Sequence, residues 1–91
     1  MKYFIGQLEE TNGEYEYYIT VRFILENKTA NPSDALNEIA RSWYDSEVEE
    51  QDDRYFFFRG ELCVRSHGCK EISEAVYREI GGYVAEALSR E

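Results

Sequence analysis

Residues 54–65 read Arg-Tyr-Phe-Phe-Phe-Arg-Gly-Glu-Leu-Cys-Val-Arg, and how this stretch is divided decides how many strands the protein has. Taken whole, it is one long strand with Phe56, Phe58, Gly60, Leu62 and Val64 on one face and Tyr55, Phe57, Arg59, Glu61 and Cys63 on the other. That is the period of two that arises when successive side chains point to opposite sides of a sheet. Arg59-Gly60 offers a second division, a tight turn that splits the stretch into a short hairpin. The continuous strand is the simpler reading, and Ser66-His67-Gly68 then breaks it.

Upstream, Lys2 to Leu8 alternates weakly and Glu14 to Leu25 cleanly. In the latter, Tyr15, Tyr17, Ile19, Val21, Phe23 and Leu25 share one face, and β-branched and aromatic enrichment supports strands. Asn12-Gly13 between them predicts a hairpin turn, because glycine readily takes positive φ. After the polar connection of residues 27–30, Asn31 is placed to cap a helix whose first position is Pro32. Leu36, Ile39, Ala40 and Trp43 recur at helical spacing and give that helix an apolar face. From Ile72 or Ser73, the positions Val76, Ile80, Tyr83, Val84, Ala87 and Leu88 predict a second amphipathic helix running to the C-terminus. Gly81-Gly82 weakens it by ~1 kcal/mol per glycine relative to alanine.

The expected order is therefore β-β-α-β-α: an α+β protein with a three-stranded antiparallel sheet and two helices, in a single domain spanning residues 1–91. If both helices lie on one face, Tyr18, Ile24, Tyr55 and Phe57 are left in water as an aromatic patch larger than a monomer usually exposes. Either that patch is a dimer or partner surface, or one helix covers it.

Composition argues for a folded, acidic protein. Hydrophobic residues make up 43% and aromatic residues 15% of the 91 positions, enough for a core that acidic disordered tails lack. The formal net charge of -9 repels phosphate backbones and anionic lipid, which argues against direct binding to nucleic acid or membrane and for a basic partner. No signal-peptide pattern opens the chain, and no apolar run approaches the ~20 residues that cross a bilayer, so a soluble, cytoplasmic protein is expected. Cys63 and Cys69 are too few for a secreted disulfide framework and should be thiols.

Most of the net charge lies in one run. Six of the nine residues from Asp45 to Asp53 are carboxylates: Asp45, Glu47, Glu49, Glu50, Asp52 and Asp53. The run is expected as a loop, or as a further helical turn in which Ser46 and Glu49 form a capping box; either leaves the carboxylates in water. Glu9, Glu10, Glu14 and Glu16 around the first hairpin make a second acidic lobe, and Tyr44 beside the run is a candidate contact anchor. These are the candidate partner-binding residues. Closely spaced carboxylates approach the charge density of duplex DNA, about one charge per ~1.7 Å, and so suit a groove built for phosphates. The plainer reading is a solvated acidic segment that keeps a small protein soluble.

Other chemistry finds less support. A calcium loop starting at Asp45 would put Glu50 where glycine is required and Phe56 where the bidentate glutamate belongs. Cys63, His67 and Cys69 form a C-x3-H-x-C cluster to which Glu71 could add a fourth zinc ligand, but no C-x2-C pair accompanies it. No orienting group or oxyanion hole stands beside these residues to make a nucleophile, so neither an enzyme nor a cofactor is expected.

In its size, acidity and tyrosine content, with Glu9-Glu10, Glu14-Tyr15-Glu16-Tyr17 and the Asp45 to Asp53 run, the chain resembles the small phage- or plasmid-borne antagonists of bacterial defence, anti-CRISPR proteins especially. Those proteins share no common motif, so no residue role carries over by position. The resemblance implies a stoichiometric inhibitor in the host bacterial cytoplasm that occludes a nucleic-acid-binding surface of a basic protein or ribonucleoprotein complex. The alternative is a small oligomeric module, antitoxin-like or regulatory, that uses the aromatic sheet face, for instance as a homodimer.

Overall fold

Strand pairing, more than helix packing, organises this chain. A computed structural model describes residues 1–27 and 29–87. The elements are β1 (Lys2–Asn12), β2 (Tyr15–Leu25), α1 (Pro32–Arg41), β3 (Val48–Gln51), β4 (Arg54–Phe57), β5 (Leu62–Ile72), α2 (Glu74–Glu79), a 3-10 turn (Ile80–Gly82) and β6 (Ala85–Glu86). They form one six-stranded sheet in the order β3-β4-β5-β1-β2-β6, antiparallel throughout except for the parallel pair β2 and β6. The architecture is α+β, but the three-stranded antiparallel sheet expected from sequence is wrong on three counts.

First, residues 54–65 are a hairpin. Phe58, Arg59 and Gly60 all take positive φ, so the chain turns back between β4 and β5. Phe57 then pairs with Leu62 and Tyr55 with Val64, which puts odd-numbered residues of β4 on the same face as even-numbered residues of β5. Tyr55 and Phe57, expected in water, are 4% and 0% exposed and belong to the core. Second, part of the acidic run is itself a strand, β3. Third, the second helix ends at Glu79; Gly81-Gly82 lie at the 3-10 turn, beyond which Ala85–Glu86 adds the parallel strand. Leu88 of the expected helix lies outside the described residues.

The hairpin and first helix follow the sequence closely. The β1–β2 turn is Gly13-Glu14, because Asn12 pairs with Tyr15, and Gly13 leads it with φ 61. Asn31 caps α1, its Oδ1 accepting the Ser33 N–H at 2.8 Å, with Pro32 at the first turn as expected. Ala35, Leu36, Ile39 and Ala40 bury the apolar stripe of α1 against Phe4, Leu8, Val21, Phe23, Phe57 and Val64. Gly6 is what lets the helix come this close: a Cβ there would stand 2.8 Å from Leu36 Cδ1 and 3.2 Å from Phe23 Cε1.

β5 carries a bulge. Leu8 pairs with Ser66 and Gly6 with Cys69, so His67 and Gly68 together oppose Gln7, and Gly68 adopts φ 107. One extra residue reverses the side-chain alternation from that point on. Cys63 therefore stands on the face away from α1, while Cys69 packs towards the core.

The two helices lie on opposite faces. α2 is capped by Ser73, whose Oγ accepts the Val76 N–H at 3.2 Å. It lays the buried Tyr77 against the Tyr3 ring at 5.1 Å, with the Arg22 guanidinium 4.5 Å from the Tyr77 ring centre. Of the expected exposed patch, only Tyr18 remains freely in water, at 55%. Tyr55 and Phe57 therefore do not belong to an exposed face, while Tyr15 and Tyr17, expected on the Val21 face, are exposed near the β1–β2 turn.

Leu36→Ala should lower unfolding free energy in urea by ~2–5 kcal/mol, as for other fully buried leucines. Gly6→Ala should cost ~1–3 kcal/mol by overpacking, and markedly less in the Leu36→Ala background; additive losses would show that the two do not share this contact.

Candidate interaction site: the acidic edge hairpin

The outer edge of the sheet is the acidic run. After Tyr44, residues 45–47 lead into β3, which pairs only with β4: Val48 with Phe57, Glu49 with Phe56, Glu50 with Tyr55 and Gln51 with Arg54. Val48 packs towards the core and sets the register; Glu49 and Glu50 consequently project from opposite faces of the edge. β3 has little intrinsic strand preference, and what makes it a strand is the anchored β4 beside it. Neither a loop nor a capped helical turn forms over residues 48–51.

Asp52 and Asp53 make the two-residue turn, with φ of 51 and 61. Two consecutive positive φ values match the right-handed twist of flanking strands, and Asn-Gly is the pair best suited to them. Aspartate tolerates this conformation better than most residues, yet left-handed backbone without glycine still costs roughly 1 kcal/mol per residue. The two carboxylates thus sit where folding alone favours another choice.

Asp45, Glu47, Glu49, Glu50, Asp52 and Asp53 are all exposed. Among the described residues, the ion pairs join Arg22 with Glu86, Arg65 with Glu9 and Arg78 with Glu74, and the His67 imidazole also approaches Glu9, so none of the six carboxylates of the run has a cationic partner. Charges on an edge strand also block edge-to-edge aggregation, which accounts for Glu49 and Glu50 without any partner. It does not account for the density of charge at Asp45, Glu47, Asp52 and Asp53.

The second acidic lobe divides on inspection. Glu14 and Glu16 are exposed at and beside the β1–β2 turn, as expected. Glu9 is 8% exposed and accepts a hydrogen bond from Arg65 Nε at 2.7 Å, so it is a buried structural carboxylate and leaves the site. Glu10 is half-buried and accepts from the Tyr44 hydroxyl. Two strands, β4 and β5, separate β1 from β3, which carries Glu49 and Glu50.

Tyr44 is a strut between these parts. Its ring meets Phe57 edge-on at 5.2 Å and Phe58 at 5.4 Å. Burial first, and then the hydrogen bond to Glu10, push its phenol from the ordinary 10.0 up to about 12. The exposed aromatic beside the acidic edge is instead Phe58, held out by the positive φ of the β4–β5 turn. Three consecutive phenylalanines before Arg-Gly were the available signal, since one of the three cannot face inward.

The C-x3-H-x-C residues are dispersed by the bulge, and the described residues contain no group of three histidine, cysteine or acidic side chains gathered for a metal. Burial pushes both the Cys63 and Cys69 thiols up, away from thiolate chemistry. Among the described residues no helix is long and apolar enough to cross a membrane. Searches of protein-family models, curated proteins and solved structures give no match to this chain.

Because its folded-state pKa is raised, the Tyr44 phenol contributes stability that is full below pH 10.0 and lost as pH rises through about 12. Tyr44→Phe should be less stable than the parent at pH 7, and the gap should narrow across that alkaline window in urea titrations. A gap independent of pH would show that folding does not raise the Tyr44 phenol.

Proposed function

We propose that this chain is a small non-catalytic inhibitor that binds a basic, nucleic-acid-binding protein or ribonucleoprotein complex through its acidic edge hairpin, as a phage anti-defence protein of the anti-CRISPR type would in the cytoplasm of a bacterial host. What supports this reading is the set of six exposed carboxylates without cationic partners, two of them at a turn that folding alone would fill with Asn-Gly. Clustered like charges set up a negative field at the edge, and a groove lined with lysine and arginine is complementary to it. Along a strand, side chains on the same face repeat every ~6.6 Å, close enough to address neighbouring phosphate-binding residues.

The mechanism is occupancy. A field of this kind accelerates encounter with a basic surface, and strand pairing holds the carboxylates in fixed positions, so the ordering entropy of a flexible acidic tail is largely avoided. Phe58, exposed beside the hairpin, is placed to add apolar contact at its rim. Glu14 and Glu16 extend the negative field from a separate tip.

Replacing Asp52-Asp53 by Asn-Gly separates function from folding. The double variant should gain roughly 0.5–2 kcal/mol of stability, in the range of other local backbone optimisations, and should retain less basic nucleic-acid-binding protein from bacterial lysate. Glu47→Gln, Glu49→Gln and Glu50→Gln together should abolish retention with the fold intact, and retention by the parent should fall steeply with salt. Capture that survives both sets of changes would overturn the proposal.

A further inference from the structure

The sheet face away from α1 collects cationic groups that the acidic edge does not use. Arg54 on β4 and Arg65 on β5 are direct cross-strand partners, and side chains so paired share a face with Cβ atoms about 5 Å apart. Like charges directly opposite one another destabilise a sheet. Arg65 is engaged by Glu9 through Nε alone; among the described residues, its terminal nitrogens and the whole Arg54 guanidinium have no hydrogen-bond acceptor. The His67 imidazole lies beside them, its Nδ1 3.8 Å from the same Glu9 oxygen and its ring edge-on to Tyr18 at 5.5 Å.

Beside Arg54 lies a depression of about 520 Å³ whose lining includes Thr11, Phe56, Gly60 and Cys63. Arg54 lines this depression itself, and the register puts the Arg54–Arg65 pair next along the same face to the Phe56–Cys63 pair that also lines it. We propose that Arg54 and Arg65 bind one oxyanion, a phosphate or carboxylate group of a small ligand, whose body lies over Phe56 in the depression. A guanidinium pair matches the planar, multi-acceptor geometry of such a group, and the oxyanion relieves the repulsion between the two arginines. Glu9 fixes Arg65 from beneath and leaves its outer nitrogens to the ligand. Glu49, opposite Phe56, and Glu61 on the rim bound the cationic zone on its far side, so it accepts a single anionic group and repels a polyanionic strand.

This site is independent of the acidic edge hairpin, and the test keeps the two apart. Because the chain carries a net charge of -9, its overall field opposes anion binding, and any saturable binding reports a local site. Titration of the labelled full chain with sodium phosphate, followed by amide chemical shifts, should give saturable changes centred on Arg54, Phe56, Cys63 and Arg65. Sodium chloride at equal ionic strength should not reproduce them. Arg54→Gln should weaken phosphate binding about tenfold, the loss expected on removing one charge-assisted contact, while the thermal midpoint in the absence of phosphate rises because the repulsion with Arg65 is gone. Arg65→Lys, which keeps the charge beside Glu9, should also weaken it. Parallel titrations with glycerol phosphate and acetate identify the group: tighter binding of the first assigns a phosphoryl ligand, tighter binding of the second a carboxylate. Shifts that chloride reproduces, that never saturate, or that persist unchanged in Arg54→Gln overturn the proposal.

Discussion

The register of β5 governs this protein, because β5 joins the β3–β4 hairpin to β1 while keeping an apolar face beneath α1. On one side it meets β4 through Phe57 with Leu62, on the other β1 through Leu8 with Ser66. Those pairings set Val64, Phe57, Tyr55 and Leu8 on the side that α1 covers, where all four are buried. A slip of β5 by one residue would turn Val64 towards water and carry Arg65 and His67 into the core. The bulge at His67-Gly68 is the local adjustment that lets β5 change its alternation without losing its partner. Everything built at the periphery depends on this: β3 is held only by β4, and β4 only by β5 on its inner side.

Where the sequence was legible, local chemistry and tertiary need agreed. The alternation of Val21, Phe23 and Leu25, the glycine of the first turn and the Asn31-Pro32 helix start each specify their structure from within a few residues. Where it was not, the decision lay elsewhere in the chain. Phe56, Phe57 and Phe58 fit either division of residues 54–65, and only the pairing of Phe57 with Leu62 settles which of them is buried. Val48–Gln51 has the composition of a loop and becomes a strand because β4 offers it a row of backbone partners. The second helix was overextended because a 3.6-residue pattern survives on paper across Gly81-Gly82, whereas the backbone turns there.

The candidate site shows the same division between what counting can and cannot reveal. A tally of carboxylates finds the run from Asp45 to Asp53, and the fold leaves all six of its carboxylates exposed. It fails for Glu9, which differs from Glu10 and Glu14 only in facing Arg65 across a strand pair, and this makes it a buried counter-ion. It fails for Tyr44 for a related reason: the ring that stands beside the acidic run in sequence is held between Phe57 and Phe58 in space. The basic groups were invisible to the net charge of -9 because a sum carries no position. Once the strands are paired, one chain presents a bare acidic edge and a sheet face with two opposed arginines.

Both features break a local rule of folding, and the two departures are of different kinds. Asp52-Asp53 occupies left-handed backbone that Asn-Gly would occupy at lower energy, and Arg54 faces Arg65 where a cross-strand ion pair would stabilise the sheet. Neither has compensation among the described residues: the aspartates have no cation within ion-pairing reach, and Arg54 has no carboxylate. Edge protection explains charge on β3, but a single lysine or glutamate serves that purpose. A small domain with only modest stability has little room for uncompensated strain and repulsion a few residues apart. The two lie side by side, Asp53 adjoining Arg54 in the chain, and the two proposed ligands would relieve them separately: a cationic surface at the edge and an oxyanion on the face.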